Sequence, residues 1–172
     1  HLFKKYLKDN NLAVIKGNHD NWTNKETGED FTQSIARIID SPHLWYGGFI
    51  HVRFGAQYYK IEARHNTKGN SALNTTNPQR RLHDNSGADI ICLGHLHWAE
   101  IHKRRKGGKE TVWLRSGSYK ITDDYTQWVA GAKSDALNPM VIIFPDQKKM
   151  LGFDDMYDGI EYLKMVREQV RV

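Results

Sequence analysis

Two short apolar runs in this chain each stop at a glycine that is followed by histidine. Residues 12–15 precede a Gly-Asn-His-Asp string at 17–20, and Ile90–Leu93 precedes a Gly-His-Leu-His string at 94–97. Apolar runs this short predict strands that are covered on both faces, not helices. Because α/β sheets place their chemistry beyond the carboxyl ends of strands, we expect an α/β fold with a site formed by these two polar loops.

The composition excludes several other classes of protein. With 172 residues and a 39% hydrophobic share, the chain has the material for one globular domain, over residues 1–172. No apolar run is long enough to span a bilayer or serve as a secretion signal, so we expect no membrane partner. A lone cysteine, Cys92, allows no internal disulfide, which favours the cytoplasm. The net charge of +5 permits polyanionic partners without requiring one.

Hydrophobic periodicity predicts the remaining elements. Helices are expected over residues 2–7 and 31–39, strands over 49–54 and 57–63, and hairpins over 99–114 and 140–153, the first with a basic tip at 103–109. The stripe of a closing helix is formed by Ile160, Leu163, Val166 and Val170. The polar tract 66–80 is long for a loop without structure, and such loops are usually functional or mobile.

The residues in the two polar loops have the chemistry of metal ligands. His95 and His97 are separated by one residue, so on a non-helical turn both rings can point the same way. Imidazole suits Zn, Mn, Fe and similar divalent ions, and Asn18 offers a neutral amide oxygen. A glycine before each string lets the backbone turn sharply and approach a ligand closely.

These motifs resemble the calcineurin-like metallophosphoesterases, whose five ordered signatures end with Gly-Asn-His-Asp/Glu, a lone histidine and Gly-His-x-His. The last three are matched here by residues 17–20, by His65 and by residues 94–97. Residues 114–118 also look like the Asn-x-Gly-Ser stretch that follows in this family. The resemblance covers residues 1 to about 120 and is to the C-terminal portion of the family's domain.

The resemblance implies a sandwich of two β-sheets flanked by helices and a centre of two divalent ions, Mn, Fe or Zn. Asn18, His65 and His95 would be ligands of one ion, and His97 the single remaining ligand of the other. His19 would be the catalytic histidine, with Asp20 hydrogen-bonded to it to set its tautomer.

The implied reaction is hydrolysis of a phosphodiester or phosphomonoester. The motifs do not identify the substrate, and the basic charge and the long polar loop lean slightly towards a nucleic acid or a nucleotide. Two ions about 3.5 to 4 Å apart supply a nucleophile and neutralise charge on the phosphoryl oxygens. The family's first two signatures, Asp-x-His and Gly-Asp-x-x-Asp, do not precede Gly17, so we expect the chain to lack the first βαβ unit and to be impaired alone. The start at His1 resembles a cut end.

Several alternatives stay open at the level of sequence. The chain could be a non-catalytic module that binds nucleic acid or a protein, or one half of a split enzyme. His83 rivals His65 as the lone histidine, and Cys92 could join His95 and His97 in a small structural zinc site.

The aromatic and basic residues beside the loops are equally ambiguous. Trp98 could stack on a base, although core packing is the simpler interpretation. The run at 103–106 is expected to be a solvated hairpin tip, although it could contact a phosphate backbone. The remaining cations, which could steer an anion or only solubilise their loop, are Arg64, Lys68 and Arg80.

Overall fold

The computed structural model describes residues 2–69, 74–118 and 137–169, which form two β-sheets with helices around them. In chain order the elements are α1 (Leu2–Leu7), α2 (Asn18–Thr27), α3 (Phe31–Ile38), β1 (Gly47–Phe54), β2 (Gln57–Arg64), α4 (Asn77–Ser86), β3 (Ile90–Leu93), β4 (Glu100–Lys106), β5 (Lys109–Arg115), β6 (Met140–Ile143), β7 (Met150–Phe153) and α5 (Met156–Gln169). In these ranges no helix has the length and apolar character needed to cross a bilayer.

The larger sheet has five strands in the order β1-β2-β3-β5-β4. Its centre is parallel, since β3 runs in the same direction as both β2 and β5, with Ile90 opposite Ile61 on one side and Val112 on the other. The outer strands β1 and β4 are added by antiparallel hairpins. The carboxyl ends of the three parallel strands therefore meet at one edge, immediately before His65, Gly94 and Ser116.

The two faces of the central strands are both covered. On one face Tyr59, Ile90 and Val112 pack with Met150 of the β6–β7 hairpin, and all four are buried. The other face is covered by α4, where buried Ala88, Ile91 and Trp113 contact Leu82. Burial on both faces explains why Ile90–Leu93 is a continuous apolar run.

The predicted α/β class, with two sheets flanked by helices, is confirmed. Both predicted hairpins form, and the first turns at Gly107-Gly108, where both glycines have positive φ (57° and 78°) as a two-residue turn requires. The sequence predicts the basic run 103–106 at the tip of this hairpin, but in the structure the run lies within β4. Val170 of the predicted closing stripe is outside the described residues.

The strand predicted at residues 12–15 is wrong. Val14 makes one isolated parallel bridge with His43, and no ladder extends from it among the described residues. Leu12 is 58% exposed, so the run is not covered on both faces. A strand is stabilised by its neighbours, and here the neighbouring backbone at 42–45 pairs over too short a length.

Two helices are not expected from the sequence. The string at 18–20, predicted as a loop, is the first turn of α2, and α4 occupies the end of the polar tract. Both helices are rich in polar residues, and no buried residue lies on α2, so the periodicity that marks a helix is missing. Gly28 and Gly87 end them in the left-handed conformation.

Candidate functional site

Three of the predicted ligands come together from three separate segments of the chain. Asn18 lies on the first turn of α2, His65 follows β2, and His95 lies in the loop after β3. His65 Nε2 is 2.8 Å from Asn18 Oδ1 and 3.1 Å from His95 Nδ1. The rings of His65 and His95 meet edge to face, with their centroids 4.9 Å apart. The structure thus brings donor atoms of Asn18 and His95 within 3.1 Å of His65 Nε2.

The geometry of this cluster fits a divalent ion. A ring nitrogen has one hydrogen or one lone pair in the ring plane, so His65 Nε2 cannot satisfy an oxygen and a nitrogen at once. Ligands of one tetrahedral ion at 2.0–2.1 Å are expected to lie about 3.3 Å from one another. The distances around His65 Nε2 are near that value. We therefore name Asn18, His65 and His95 as the residues suited to hold an ion.

The second ion implied by the resemblance finds less support. The described residues hold no group of three or more His, Cys, Asp or Glu placed to bind a metal. Its predicted ligand, His97, lies two residues from His95 and contributes to the electrostatic environment of both His65 and His95. The role of His97 stays a prediction.

The loop that carries His95 and His97 has an unusual backbone. Both residues have positive φ, 77° and 60°, a region that costs non-glycine residues about 1 kcal/mol or more. Leu96 N–H donates to Gly94 O at 3.1 Å, which closes a tight turn between them. A strained backbone at two histidines is the kind of outlier that points to function.

The turn at Gly17 sets the position of Asn18 against His65. A Cβ on Gly17 would lie 3.1 Å from Asp20 Oδ2 and 3.2 Å from His65 Cε1, closer than ordinary contacts. Asp20 Oδ2 accepts a hydrogen bond from Gly17 N–H at 2.8 Å, which caps α2. Among the described residues the His19 ring donates no hydrogen bond to Asp20, and the Asp20 carboxylate orders the backbone of the turn.

His19, the predicted catalytic histidine, is exposed at the start of α2. Its ring stacks on that of Trp22, with centroids 4.7 Å apart and planes at 23°. Trp22 is itself 58% exposed. Trp22 is not among the residues predicted from sequence. Its spacing of three residues from His19 puts the two side chains on one helical face, a signal that becomes readable only once α2 is known to be a helix.

The electrostatics of the site favour neutral histidines. Burial lowers the pKa of His65, and the neighbouring His95 lowers it further against the opposing effect of Asp20. The pKa of His95 is lowered as well, most by burial and then by the charges of His97, His19 and Arg115. Neutral imidazole is the form that binds metals.

Arg115 is a second residue whose place beside the site is not predicted from sequence. It ends β5, is 1% exposed, and lies with its guanidinium carbon 5.7 Å from the ring centroid of Trp98. Its Nη2 donates to Thr75 O at 3.1 Å, and its Nε is 3.6 Å from Glu100 Oε1, an ion-pair distance but too long for a hydrogen bond. Nε and Nη1 have no hydrogen-bond partner in the described part of the chain.

The alternative metal ligands, His83 and Cys92, lie apart from the candidate ligands. His83 lies on α4 with Nδ1 3.0 Å from Ala88 O, away from Asn18 and His95. Cys92 lies inside β3 beside the core, and burial raises the pKa of its thiol to about 12, which disfavours the thiolate that a zinc site needs. Trp98 is half-buried against Arg115, which supports the packing interpretation.

A buried ion pair precedes the site. Lys16 is 2% exposed, and its Nζ lies 2.7 Å from Asp30 Oδ2. Asp30 caps α3 and also accepts from Thr32 Oγ1. Burial alone would raise the pKa of Asp30, but the hydrogen bonds from Lys16, Thr32 and Gln33 outweigh it and hold the pKa far below its usual range. The pair ties the start of α3 to the residue before Gly17.

No family model matches the chain, and no curated relative matches its sequence. Similar solved structures include a Vps29 double mutant from Entamoeba histolytica, at 15% identity over 89% of each chain with a TM-score of 0.48. Wild-type Vps29 from the same organism, solved with Zn²⁺, is 14% identical over 83% of this chain and 80% of its own (TM-score 0.42). A predicted phosphoesterase from Streptococcus pneumoniae is 14% identical over 82% and 97% (TM-score 0.41). The functional conclusion therefore depends on the geometry of the site.

Proposed function

We propose that this chain carries the metal-binding portion of a calcineurin-like metallophosphoesterase and takes part in metal-dependent hydrolysis of a phosphoester. The observation that supports this best is the meeting of Asn18 Oδ1, His65 Nε2 and His95 Nδ1 within about hydrogen-bonding distance, from segments far apart in the chain. In the complete centre of two ions, His97 belongs to the second ion. The bridging carboxylate and two further ligands belong to the family signatures that do not precede Gly17.

The chain's own residues have distinct tasks in this reaction. A divalent ion supplies Lewis acidity towards the phosphoryl oxygens and lowers the pKa of water. Asn18, His65 and His95 are neutral ligands, so they leave the positive charge of the ion largely undiminished. In this proposal the ring of His19, which is exposed, gives a proton to the leaving oxygen as the phosphorus–oxygen bond breaks. Asp20 holds the turn that presents His19 and Asn18.

Titration of the metal-free chain with Mn²⁺ or Zn²⁺ tests the ligand set. We expect one tight site in the parent chain, abolished in His65→Ala and retained in His83→Ala, the matched control at the other histidine that sequence allowed. Equal binding by both variants would refute the assignment of His65. Isothermal titration calorimetry gives the stoichiometry, which also decides between one ion and two.

Hydrolysis of a generic phosphodiester in the presence of Mn²⁺ tests the reaction, with His19→Ala as the control for contaminating phosphatase. Turnover that disappears in the variant supports hydrolysis by these residues. Metal binding without turnover above that of His19→Ala would refute catalysis by this chain on its own.

A binding module without turnover is the second candidate, and one observation favours it. The described residues hold no group of three or more His, Cys, Asp or Glu placed to bind a metal, and a phosphoesterase centre of two ions needs a carboxylate that bridges them. Under this alternative the chain binds the ion and the phosphoester but does not hydrolyse the phosphoester. His19→Ala then leaves the affinity for the phosphoester nearly unchanged.

A further inference from the structure

Two features near Asn18, His65 and His95 have no part in the proposed hydrolysis. One is the exposed ring of Trp22, and the other is a group of three cations, one in the loop after β2 and two on α4, that have no carboxylate partner among the described residues. We infer that together they bind a single-stranded nucleic acid, with a base stacked on Trp22 and backbone phosphates held by Lys68, Arg80 and Arg81. This rests on the proposed function, because the strand would pass the metal cluster between these two features.

Trp22 has the properties of a stacking platform. One face lies against His19 at 4.7 Å, and 58% of the side chain is exposed, so an apolar ring surface is left open beside the residue that would give the proton. Exposed tryptophan on a helix without buried residues contributes nothing to a core. Stacking of a base on such a ring contributes about 1–3 kcal/mol and accepts any base, since each base has a π face.

Some of the other basic residues have carboxylate partners. Lys103 and Arg105, in the basic run of β4, both pair with Glu110, at 3.0 and 3.2 Å. Arg64 pairs with Glu62 at 2.6 Å. Two of the four cations of the basic run are therefore engaged within the protein, which weakens the phosphate-backbone role considered for that run.

By contrast, Lys68, Arg80 and Arg81 are exposed, and no carboxylate of the described ranges lies within ion-pairing distance of them. Arg80 Nη2 is held by Asn77 Oδ1 at 3.1 Å, on the first turn of α4. Such uncompensated charges are available to an anionic partner.

These cations adjoin the metal cluster through a short series of contacts. Lys68 follows the ligand His65 by three residues, and a methyl group placed on Gly69 would lie 3.1 Å from Arg81 Nη1, so this loop packs against α4. Residues 66–69, which follow His65 in the chain, line a pocket of about 460 Å³. Asn18, on the same helix as Trp22, contacts His65. Trp22 and the loop that carries Lys68 are therefore each connected to the cluster through a neighbouring residue.

This arrangement favours the binding of a single-stranded nucleic acid over the binding of a single nucleotide. One phosphate would occupy the metal cluster, and the cations beyond His65 are in excess of what that phosphate needs. Aromatic stacking combined with a basic surface is the usual means of binding single strands without sequence preference.

The test is fluorescence anisotropy of a labelled oligothymidylate with metal-free protein in EDTA, which measures binding whether or not the chain hydrolyses phosphoesters. We compare Trp22→Ala with Tyr157→Ala, a 63% exposed ring on α5, and the combined change of Lys68, Arg80 and Arg81 to Ala with Lys106→Ala. Lys106 is exposed and lies at the end of β4 away from Arg115.

We expect Trp22→Ala to weaken binding about tenfold. The combined variant should lower the slope of log K against log salt by about 2, since each phosphate that the protein no longer neutralises reduces the slope by about 0.7. Both control variants should bind like the parent chain. Failure of the parent to bind, equal weakening in the controls, or displacement of the probe by thymidine monophosphate at similar concentration would overturn the inference. Strand binding without any hydrolysis would uphold it and refute only the proposed catalysis.

Discussion

Replacement of Lys16 by Met should destabilise the chain by about 3 kcal/mol. Lys16 is 2% exposed and pairs with Asp30 at 2.7 Å, and removal of one partner from a buried pair leaves an uncompensated charge that costs about 3–5 kcal/mol. We take the lower end because the Asp30 side chain keeps 11% exposure and retains hydrogen bonds from Thr32 and Gln33. For a chain of this size the change corresponds to a fall in Tm of about 6–12 °C.

Urea unfolding followed by circular dichroism measures this change, and Arg105→Met is the matched control. Arg105 pairs with Glu110 at 3.2 Å but is 74% exposed, so its removal should cost less than about 1 kcal/mol. Equal destabilisation by the two substitutions would refute the reasoning, because burial would then not determine the cost.

The same pair predicts how stability depends on pH. The pKa of Asp30 is lower in the folded state than in the unfolded chain, so its contribution is complete above the unfolded value near about pH 4 and is lost as the pH falls further. In Lys16→Met the folded pKa of Asp30 rises, and the variant should lose less stability than the parent between about pH 5 and pH 3. A parallel pH dependence of the two proteins would contradict this.

Three further substitutions follow from the packing. Gly17→Ala should displace the His65 ring by a few tenths of an ångström and weaken Mn²⁺ binding, as calorimetry would show, with only a small change in Tm; unchanged metal affinity would count against the assigned geometry. Tyr59→Phe removes the hydroxyl that reaches the carbonyls of the β6–β7 hairpin and should cost about 1 kcal/mol in urea unfolding. Glu100→Gln leaves the charge of Arg115 buried without a carboxylate and should destabilise by about 3 kcal/mol, whereas a near-neutral result would mean that solvent reaches that guanidinium.

The sequence was informative wherever a local pattern determined the structure. Alternation and turn residues predicted the hairpins, and the apolar run at Ile90–Leu93 predicted β3 because both of its faces are buried. The same reasoning failed at residues 12–15, since an apolar run becomes a strand only where neighbouring strands extend beside it. Helix α2 was missed because its residues pack no core and so carry no apolar stripe.

The candidate site was predictable in part for a related reason. Asn18 and His95 follow glycines in short motifs, so their roles could be proposed from neighbours in the chain, and the structure brings them to His65. Arg115 and Trp22 could not be found in that way. The burial of Arg115 and the exposure of Trp22 arise from tertiary packing, which a residue's sequence neighbours do not record.

The backbone at His95 and His97 has a consequence for how this sequence can diverge. At positive φ glycine is free of the steric cost that any residue with a Cβ bears, and histidine bears that cost although it is tolerated there better than most residues. In a lineage that does not need a metal, selection for the two imidazoles is lost, and replacement of His95 or His97 also relieves backbone strain. Both effects favour substitution, so we expect glycine or asparagine at these positions. Under the proposed function, the residues at these two positions in homologous chains should therefore indicate whether metal binding has been kept.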